Sequence, residues 1–288
     1  MQYICIDIGG TSIKYSIMQE DLNILYSDSC DTEAFLGGKA IMQKVFNIIE
    51  KCKKKCNPKG ICISTAGIVD SETGSIIYAN ELIPHYTGTK IKELVQNKFN
   101  ISCEVENDVN CAGLAEANYG AGKKYKTCLC MTIGTGIGGC ILSDGKIFKG
   151  SGTAGAIGYI QLKNGRFEQL AAASILTKNI AKRKNLDNIS GKKVFELYEQ
   201  QDPICIEEIN KMVNYLAEGI ANICYIIAPD VIILGGGIMN RFDIIEPLLN
   251  LRLKSLLIKD VYDKTHLISA EFKNNAGMLG ALVHFLQK

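Results

Sequence analysis

Short apolar runs closed by glycine alternate with helix-period segments along most of the chain. Gln2 to Ile8 predicts a strand, turned by Gly9-Gly10, and Ile13 to Met18 returns as a second strand before Asp21-Leu22-Asn23. Ala40 to Cys52 has the period of an amphipathic helix. Gly60 to Ser64 is a further apolar strand, ending in Thr65-Ala66-Gly67. A short strand from Ile76 to Asn80 leads into a loop through Pro84, and Lys90 to Phe99 predicts a helix. The apolar run Ile101 to Val105 then feeds Glu106-Asn107-Asp108, and a small-residue helix leaves at Cys111.

The same plan begins again downstream. Thr127 to Gly134 predicts a strand, Thr135 to Gly139 a turn, and Cys140-Ile141-Leu142 a return strand. Ile6-Asp7-Ile8-Gly9-Gly10-Thr11 matches Met131-Thr132-Ile133-Gly134-Thr135-Gly136, and Gly60 to Gly67 resembles Val231 to Gly237. This internal repeat predicts two similar α/β halves with a nucleotide between them. Helical patterns cover Glu168 to Lys182, Val194 to Gln200 and Ile206 to Ile227, with Asp202-Pro203 as a break, and Ala276 to Leu286 closes the chain.

Composition narrows the class. Of 288 residues, 47% are hydrophobic and 22% charged, so a substantial buried core is expected. A net charge of +2 gives no reason to expect nucleic acid or an anionic membrane as partner. The basic run Lys51 to Lys55 reads as a solvated helix C-terminus. The 12 cysteines include no Cys-x-x-Cys pair, and many sit inside apolar runs, which predicts small buried hydrophobes in a reduced, cytoplasmic protein. No apolar run has the length of a membrane span.

Gly134-Thr135-Gly136-Ile137-Gly138-Gly139 matches G-x-G-x-x-G in form, yet a return strand follows where a dinucleotide site needs a helix. No Walker-type phosphate loop occurs. Two glycine turns at matching places, with Gly235-Gly236-Gly237 after a buried strand, still suit phosphate: glycine lets backbone N–H groups approach the oxygens, and Thr11 and Thr135 add hydroxyl donors. Asp108, where a strand meets a helix, is a candidate general base; an N-terminal helix cap is the alternative use of the same residue.

Together these segments resemble the ROK sugar kinases. Asp7-Ile8-Gly9-Gly10-Thr11 with Lys14 is similar to the first phosphate motif, Glu106-Asn107-Asp108 with Asn110, Ala112 and Glu116 to the catalytic motif, and Thr132 to Gly139 to the second phosphate motif. Gly152 to Gly158 resembles the sugar-contact motif, Pro229 to Gly237 the adenosine motif, and Asn275 to Ala281 the start of the C-terminal helix. The resemblance implies an actin/hexokinase-like (ribonuclease H-like) fold, α/β, with two similar domains around a nucleotide and sugar cleft. The expected domains are 1–110, joined by helix 276–288, and 111–275. It implies transfer of the ATP γ-phosphate, with Mg²⁺, to a hexose 6-hydroxyl. Asp108 would accept the hydroxyl proton, Asn107 would bind sugar hydroxyls, and Asp7 would orient Mg²⁺, mostly through water. Gly9, Gly10, Thr11, Lys14, Thr132, Gly134, Thr135, Gly136 and Gly235 to Gly237 would hold the nucleotide. Gly67, Asn80, Tyr159 and Glu168 would line the sugar. A homodimer is implied as well.

Departures bear on the substrate. The cysteine-rich zinc segment common in the family is replaced by Lys163-Asn164-Gly165-Arg166-Phe167-Glu168-Gln169-Leu170, so no zinc is expected, and packing by Phe167 and Leu170 takes its place. The sugar motif carries Ala156 and Tyr159 where the family commonly has Glu and His. A small residue at 156 leaves room for a bulky substituent, which favours N-acetylmannosamine, with a β-glucoside or glucose as alternatives. A strand starting at Gln2 leaves no place for the DNA-binding domain of ROK repressors. A non-catalytic sugar sensor is the other-class alternative.

Overall fold

The structure is a computed structural model that describes all residues except Asn80 and Leu82, so the sugar-contact expectation for Asn80 lies outside the described residues. The chain divides into two compact units, Met1–Glu116 with Asn274–Lys288, and Ala117–Lys273. The expected boundary at 110/111 falls instead inside a helix, which changes unit between Glu116 and Ala117.

In unit 1, β1 (Gln2–Ile8), β2 (Ser12–Gln19) and β3 (Ile24–Asp31) form an antiparallel meander. Helix α1 (Gly38–Lys53) crosses to β4 (Gly60–Thr65), which runs parallel to β1. A small hairpin, β5 (Ile68–Asp70) and β6 (Ser75–Tyr78), and helix α2 (Ile91–Phe99) lead to β7 (Cys103–Asn107), parallel to β4. Helix α3 (Asp108–Tyr119) leaves directly from β7. The sheet order is β3-β2-β1-β4-β7. Strand β4 is buried at every position, as expected of a parallel strand covered on both faces. On α1, Ile41, Met42, Val45, Ile48, Ile49 and Cys52 recur at helical spacing and are buried. The C-terminal helix, Ala276–Leu286, is mostly buried in this unit, with Phe285 seated where a Cβ on Gly60 would stand.

Unit 2 repeats the order strand for strand. It contains β8 (Thr127–Ile133), β9 (Ile137–Ser143), β10 (Lys146–Ile147), a hairpin of β11 (Gln161–Leu162) and β12 (Gly165–Arg166), β13 (Val231–Gly235) and β14 (His266–Ser269). Its main sheet runs β10-β9-β8-β13-β14, antiparallel through β8 and parallel from β8 to β14. Both repeats seen in the sequence therefore correspond in topology: β1 with β8, and β4 with β13. The single helical pattern over Glu168 to Lys182 is two helices, α4 (Phe167–Ala171) and α5 (Ala173–Arg183), because Ala172 is extended. Then follow α6 (Gly191–Glu199), α7 (Pro203–Ile227), α8 (Phe242–Leu256) and α9 (Lys259–Tyr262). Asp202 caps α7 by accepting from Cys205 N, and Pro203 opens it. The long, buried face of α7 forms the centre of this unit's core. Phe167 is fully buried against α7, where a Cβ on Gly219 would meet its ring at 2.4 Å.

Candidate active site

The parallel strands of unit 1 end in a row. Asp7 is the last residue but one of β1, Ser64 and Thr65 close β4, and Asn107 closes β7. Ser64 Oγ donates to Asp7 Oδ1 at 2.7 Å. The N-terminal turn of the C-terminal helix lies against the same carboxylate, since a Cβ on Gly277 would stand 2.6 Å from Asp7 Cγ. Burial raises the proton affinity of Asp7, offset in part by the Ser64 hydrogen bond and by Lys14, its cross-strand neighbour. Lys14 is itself tied down, its Nζ donating to Asn274 O at 3.2 Å.

Asp108 is the first residue of α3, and the cap is its neighbour. Asn107 Oδ1 accepts from Val109 N at 2.9 Å and from Asn110 N at 3.1 Å, the orphan donors that an N-cap satisfies. The alternative use of Asp108 as the cap is thereby corrected: two adjacent residues of good capping type compete, and the one closing the strand takes the role. Asn107 Nδ2 donates to Gly67 O and to Asp108 Oδ1, both at 2.8 Å. Asp108 Oδ1 also accepts from Val109 N at 2.9 Å. The carboxyl of Asp108 is pushed up to about 6, first by burial and then by the nearby Asp7 charge, against the pull of hydrogen bonds from Val109 N, the Asn107 side chain and its own backbone N–H. A carboxylate with that affinity accepts a proton near neutral pH and releases it again.

Two residues that the sequence reading did not single out, Ser64 and Tyr86, support this corner, together with Glu106 of the Glu106-Asn107-Asp108 motif. Tyr86 is fully buried, shares a 2.7 Å hydrogen bond between its hydroxyl and Thr65 Oγ1, and is held well above the usual phenol range by burial, with the Asp108 charge adding to it. Glu106 is buried, and its Oε1 accepts from Asn107 N at 2.8 Å and Asn110 Nδ2 at 3.0 Å, fixing the turn from behind. A polar Ser-Thr pair ending the otherwise apolar Gly60 to Thr65 was a usable signal for Ser64. A lone Tyr in a polar loop offered none.

The glycine turn at the end of β1 is built as a tight loop. Gly9 N donates to Ser12 O, and Thr32 reaches back with Oγ1 to Gly9 O at 2.6 Å and with its N to Thr11 O at 2.9 Å. Gly10 has open space where a Cβ would stand. Gly67, at φ 100, turns the chain beneath Tyr78 O.

Unit 2 gathers the other glycine segments. Gly134 N donates to Gly136 O, and Ser174, at the start of α5, donates through N to Gly134 O and through Oγ to Thr135 O. Thr132 pairs with Gly235 across β8 and β13. Gly236, at φ 98, lies so close to the neighbouring strand that a Cβ would meet Ile133 O at 2.3 Å. Gly134 and Gly237 face open space. The Gly134 to Gly136 turn and the Gly235 to Gly237 turn are thus adjacent. Glu168 sits beside the first of these turns: a Cβ on Gly136 would be 2.8 Å, and one on Gly158 3.2 Å, from its Oε2. Tyr159 is 46% exposed, with the Arg166 guanidinium over its ring at 5.5 Å. Among the described residues no group of three or more His, Cys, Asp or Glu side chains could hold a metal ion, and no helix is long and apolar enough to cross a membrane.

A duplicated sheet with glycine turns on its first hairpins, and a carboxylate pair in one half, defines an actin/hexokinase-like fold carrying a candidate phosphoryl-transfer site. The ROK family model matches residues 3–288, and the chain belongs to that family. It is 46% identical over 286 residues to an uncharacterized protein of Clostridium perfringens, covering 98% of this chain and 97% of that one. A β-glucoside kinase of Listeria innocua is 31% identical, covering 100% of this chain and 98% of its own. A solved structure from Listeria monocytogenes, of a protein proposed to be an N-acetylmannosamine kinase, superposes with a TM-score of 0.89 at 29% identity, covering 100% of this chain and 99% of that chain.

Proposed function

We propose that this protein is an ATP-dependent sugar kinase that transfers the γ-phosphate to the 6-hydroxyl of a hexose or hexose derivative. The observation that carries this is Asp108: a carboxylate at the head of a helix, raised to about 6, next to a second carboxylate at the end of β1. Phosphoryl transfer asks the protein for positioning and electrostatics, plus one group to accept the hydroxyl proton. Asp108 takes that proton. Lys14, Thr11 and the backbone of Gly9 and Gly10 form the phosphate turn of unit 1. Thr132, Gly134, Thr135, Gly136 and Gly235 to Gly237 form the nucleotide-binding turns of unit 2; Gly67 in unit 1 is read as a sugar-contact position, as are Tyr159 and Glu168 in unit 2.

The donors at Asp7 fit Mg²⁺. They are hard oxygens, few in number, in keeping with a cation that keeps most of its waters and binds mainly through nucleotide phosphates. Bound there, Mg²⁺ would neutralise charge on the transferred group. Asp7 holds its place because Ser64 fixes Oδ1 and Gly277 leaves room for the carboxylate.

For the acceptor, the first reading is a β-glucoside, supported by the full-length similarity to the Listeria innocua β-glucoside kinase. N-acetylmannosamine is the second, supported by the Listeria monocytogenes structure and by Ala156, whose small side chain leaves space near the sugar motif. Sugar-dependent ADP release over a panel of cellobiose, gentiobiose, N-acetylmannosamine, N-acetylglucosamine and glucose tests the two readings. Preference for the two disaccharides supports the first, and preference for N-acetylmannosamine the second. ATP binding with no phosphate transferred to any sugar would contradict the kinase and indicate a sensor.

A further inference from the structure

Between β3 and α1, unit 1 carries a short strap, Thr32-Glu33-Ala34-Phe35-Leu36-Gly37-Gly38. Both of its ends are fastened to residues of the candidate site. At the start, Thr32 is buried; it donates through Oγ1 to Gly9 O at 2.6 Å and through N to Thr11 O at 2.9 Å. At the end, Gly38 N donates to Pro84 O at 3.0 Å, and a Cβ on Gly38 would stand 3.1 Å from the Tyr86 ring. Tyr86 in turn reaches Thr65 at the end of β4 and feels the charge of Asp108. The strap therefore runs from the first phosphate turn to the wall beside the candidate base.

Its crest is apolar and uncovered. Ala34–Leu36 forms one 3-10 turn with no buried residue, and Phe35 is 73% and Leu36 53% exposed. The backbone keeps them outward at a cost. Glu33 at φ 50 and Gly37 at φ 82 have the positive φ that bulky residues avoid. Lys44 holds the start of the strap by pairing with Glu33 and donating to Thr32 O at 3.1 Å. Two large apolar side chains held in water at the edge of a ligand site have the composition of a ligand-contact surface.

The chemistry of the acceptor says what rests there. In a glucoside, the 6-hydroxymethyl group and the aglycone flank the ring oxygen. An acceptor whose 6-hydroxyl meets Asp108 thus projects its aglycone sideways, along the rim of the corner. We infer that Phe35 and Leu36 form an aglycone subsite, an apolar shelf for the second sugar ring or the aryl group of a β-glucoside, which makes the strap a determinant of acceptor specificity. This rests on the β-glucoside reading given above. Apolar contact asks for no hydrogen bonds, so an aryl aglycone should serve at least as well as a glucosyl one.

Phe35→Ser changes an exposed position, so its melting temperature should stay within a few degrees of wild type. Its kcat/KM should fall about tenfold for cellobiose and for phenyl β-glucoside, mostly through KM, and stay within about twofold for glucose. Phe35→Tyr should restore the wild-type values. The chain has no tryptophan, so Phe35→Trp places a single indole on the shelf and reads contact without turnover. Saturating phenyl β-glucoside should shift its emission to the blue, and glucose should not. Glucoside phosphorylation unchanged in Phe35→Ser, or lost equally with that of glucose, would overturn the subsite while leaving the β-glucoside reading in place. If the wild type phosphorylates neither glucoside, that reading fails, and the emission of Phe35→Trp decides: a shift with glucosides alone keeps the subsite as a binding site, and no shift removes it.

Discussion

Gly277 and Asp7 share one volume: a Cβ at Gly277 would stand 2.6 Å from both Asp7 Cγ and Oδ1. A residue in the first turn of the C-terminal helix thus sets where the β1 carboxylate can lie. Gly277→Ala should gain up to about 1 kcal/mol of helix propensity, yet it must push the carboxylate aside. The expected outcome is a melting temperature within a few degrees of wild type and a kinase rate at least tenfold lower. Parallel thermal unfolding and ADP assays check it. An unimpaired rate would show that the position of Asp7 is not needed.

Asp108 links activity and stability with opposite signs. Its affinity rises from the ordinary carboxyl value of 3.8 to about 6 in the folded protein, chiefly through burial. A carboxyl raised on folding contributes stability below its unfolded pKa and loses it as pH climbs through the folded one. The charged form therefore costs stability above about pH 6, on the order of 1–3 kcal/mol. Asp108→Asn removes that cost, so it should melt higher than wild type at pH 7.5 and show little difference at pH 3.5. The same substitution should lower kcat about 10²- to 10⁴-fold, and wild-type kcat should climb with pH up to about 6 and then level off. Calorimetry at the two pH values and a pH–rate profile test both parts.

Gly10 and Gly134 separate a phosphate cradle from a plain turn. A Cβ at either position meets nothing within 4 Å, and neither has the positive φ that demands glycine. If the turns serve only the fold, Gly10→Ala and Gly134→Ala should be silent. If the space is for phosphate oxygens, each should raise KM for ATP about tenfold with unfolding unchanged. Unaltered ATP affinity in both would remove the nucleotide role of these turns.

Gly280→Ala belongs to a different class. A Cβ there would lie 1.7 Å from Cys111 O, backbone against backbone where the C-terminal helix crosses α3. Relief requires the helices to separate, so the loss should reach about 3 kcal/mol or more. A denaturant midpoint matching wild type would show that the packing is looser than the structure indicates.

Glycine turns at repeated places and apolar parallel strands were legible in the sequence, because each has a strong local signature. Strand β3 was not: Ile24–Asp31 is an edge strand, mostly exposed, and its polar residues show no alternation. Strand β14 is four residues long and only partly buried, too short to carry a period. At the site, the residue types Asn107-Asp108 announced a helix start and a carboxylate. Which of them caps and which is left for chemistry depends on hydrogen bonds to Gly67 O and to the backbone of the next turn. That information is long-range in part, and residue type does not encode it.

The most direct test is sugar-dependent ADP release from Mg-ATP by the wild type beside Asp108→Asn, with the sugar product identified by mass and its phosphate located by NMR. The account predicts rapid turnover with at least one sugar, phosphate on the 6-hydroxyl, and near-complete loss in the variant while ATP binding is kept. Equal rates in both proteins, or ATP binding with no phosphorylated sugar from any acceptor, would contradict it.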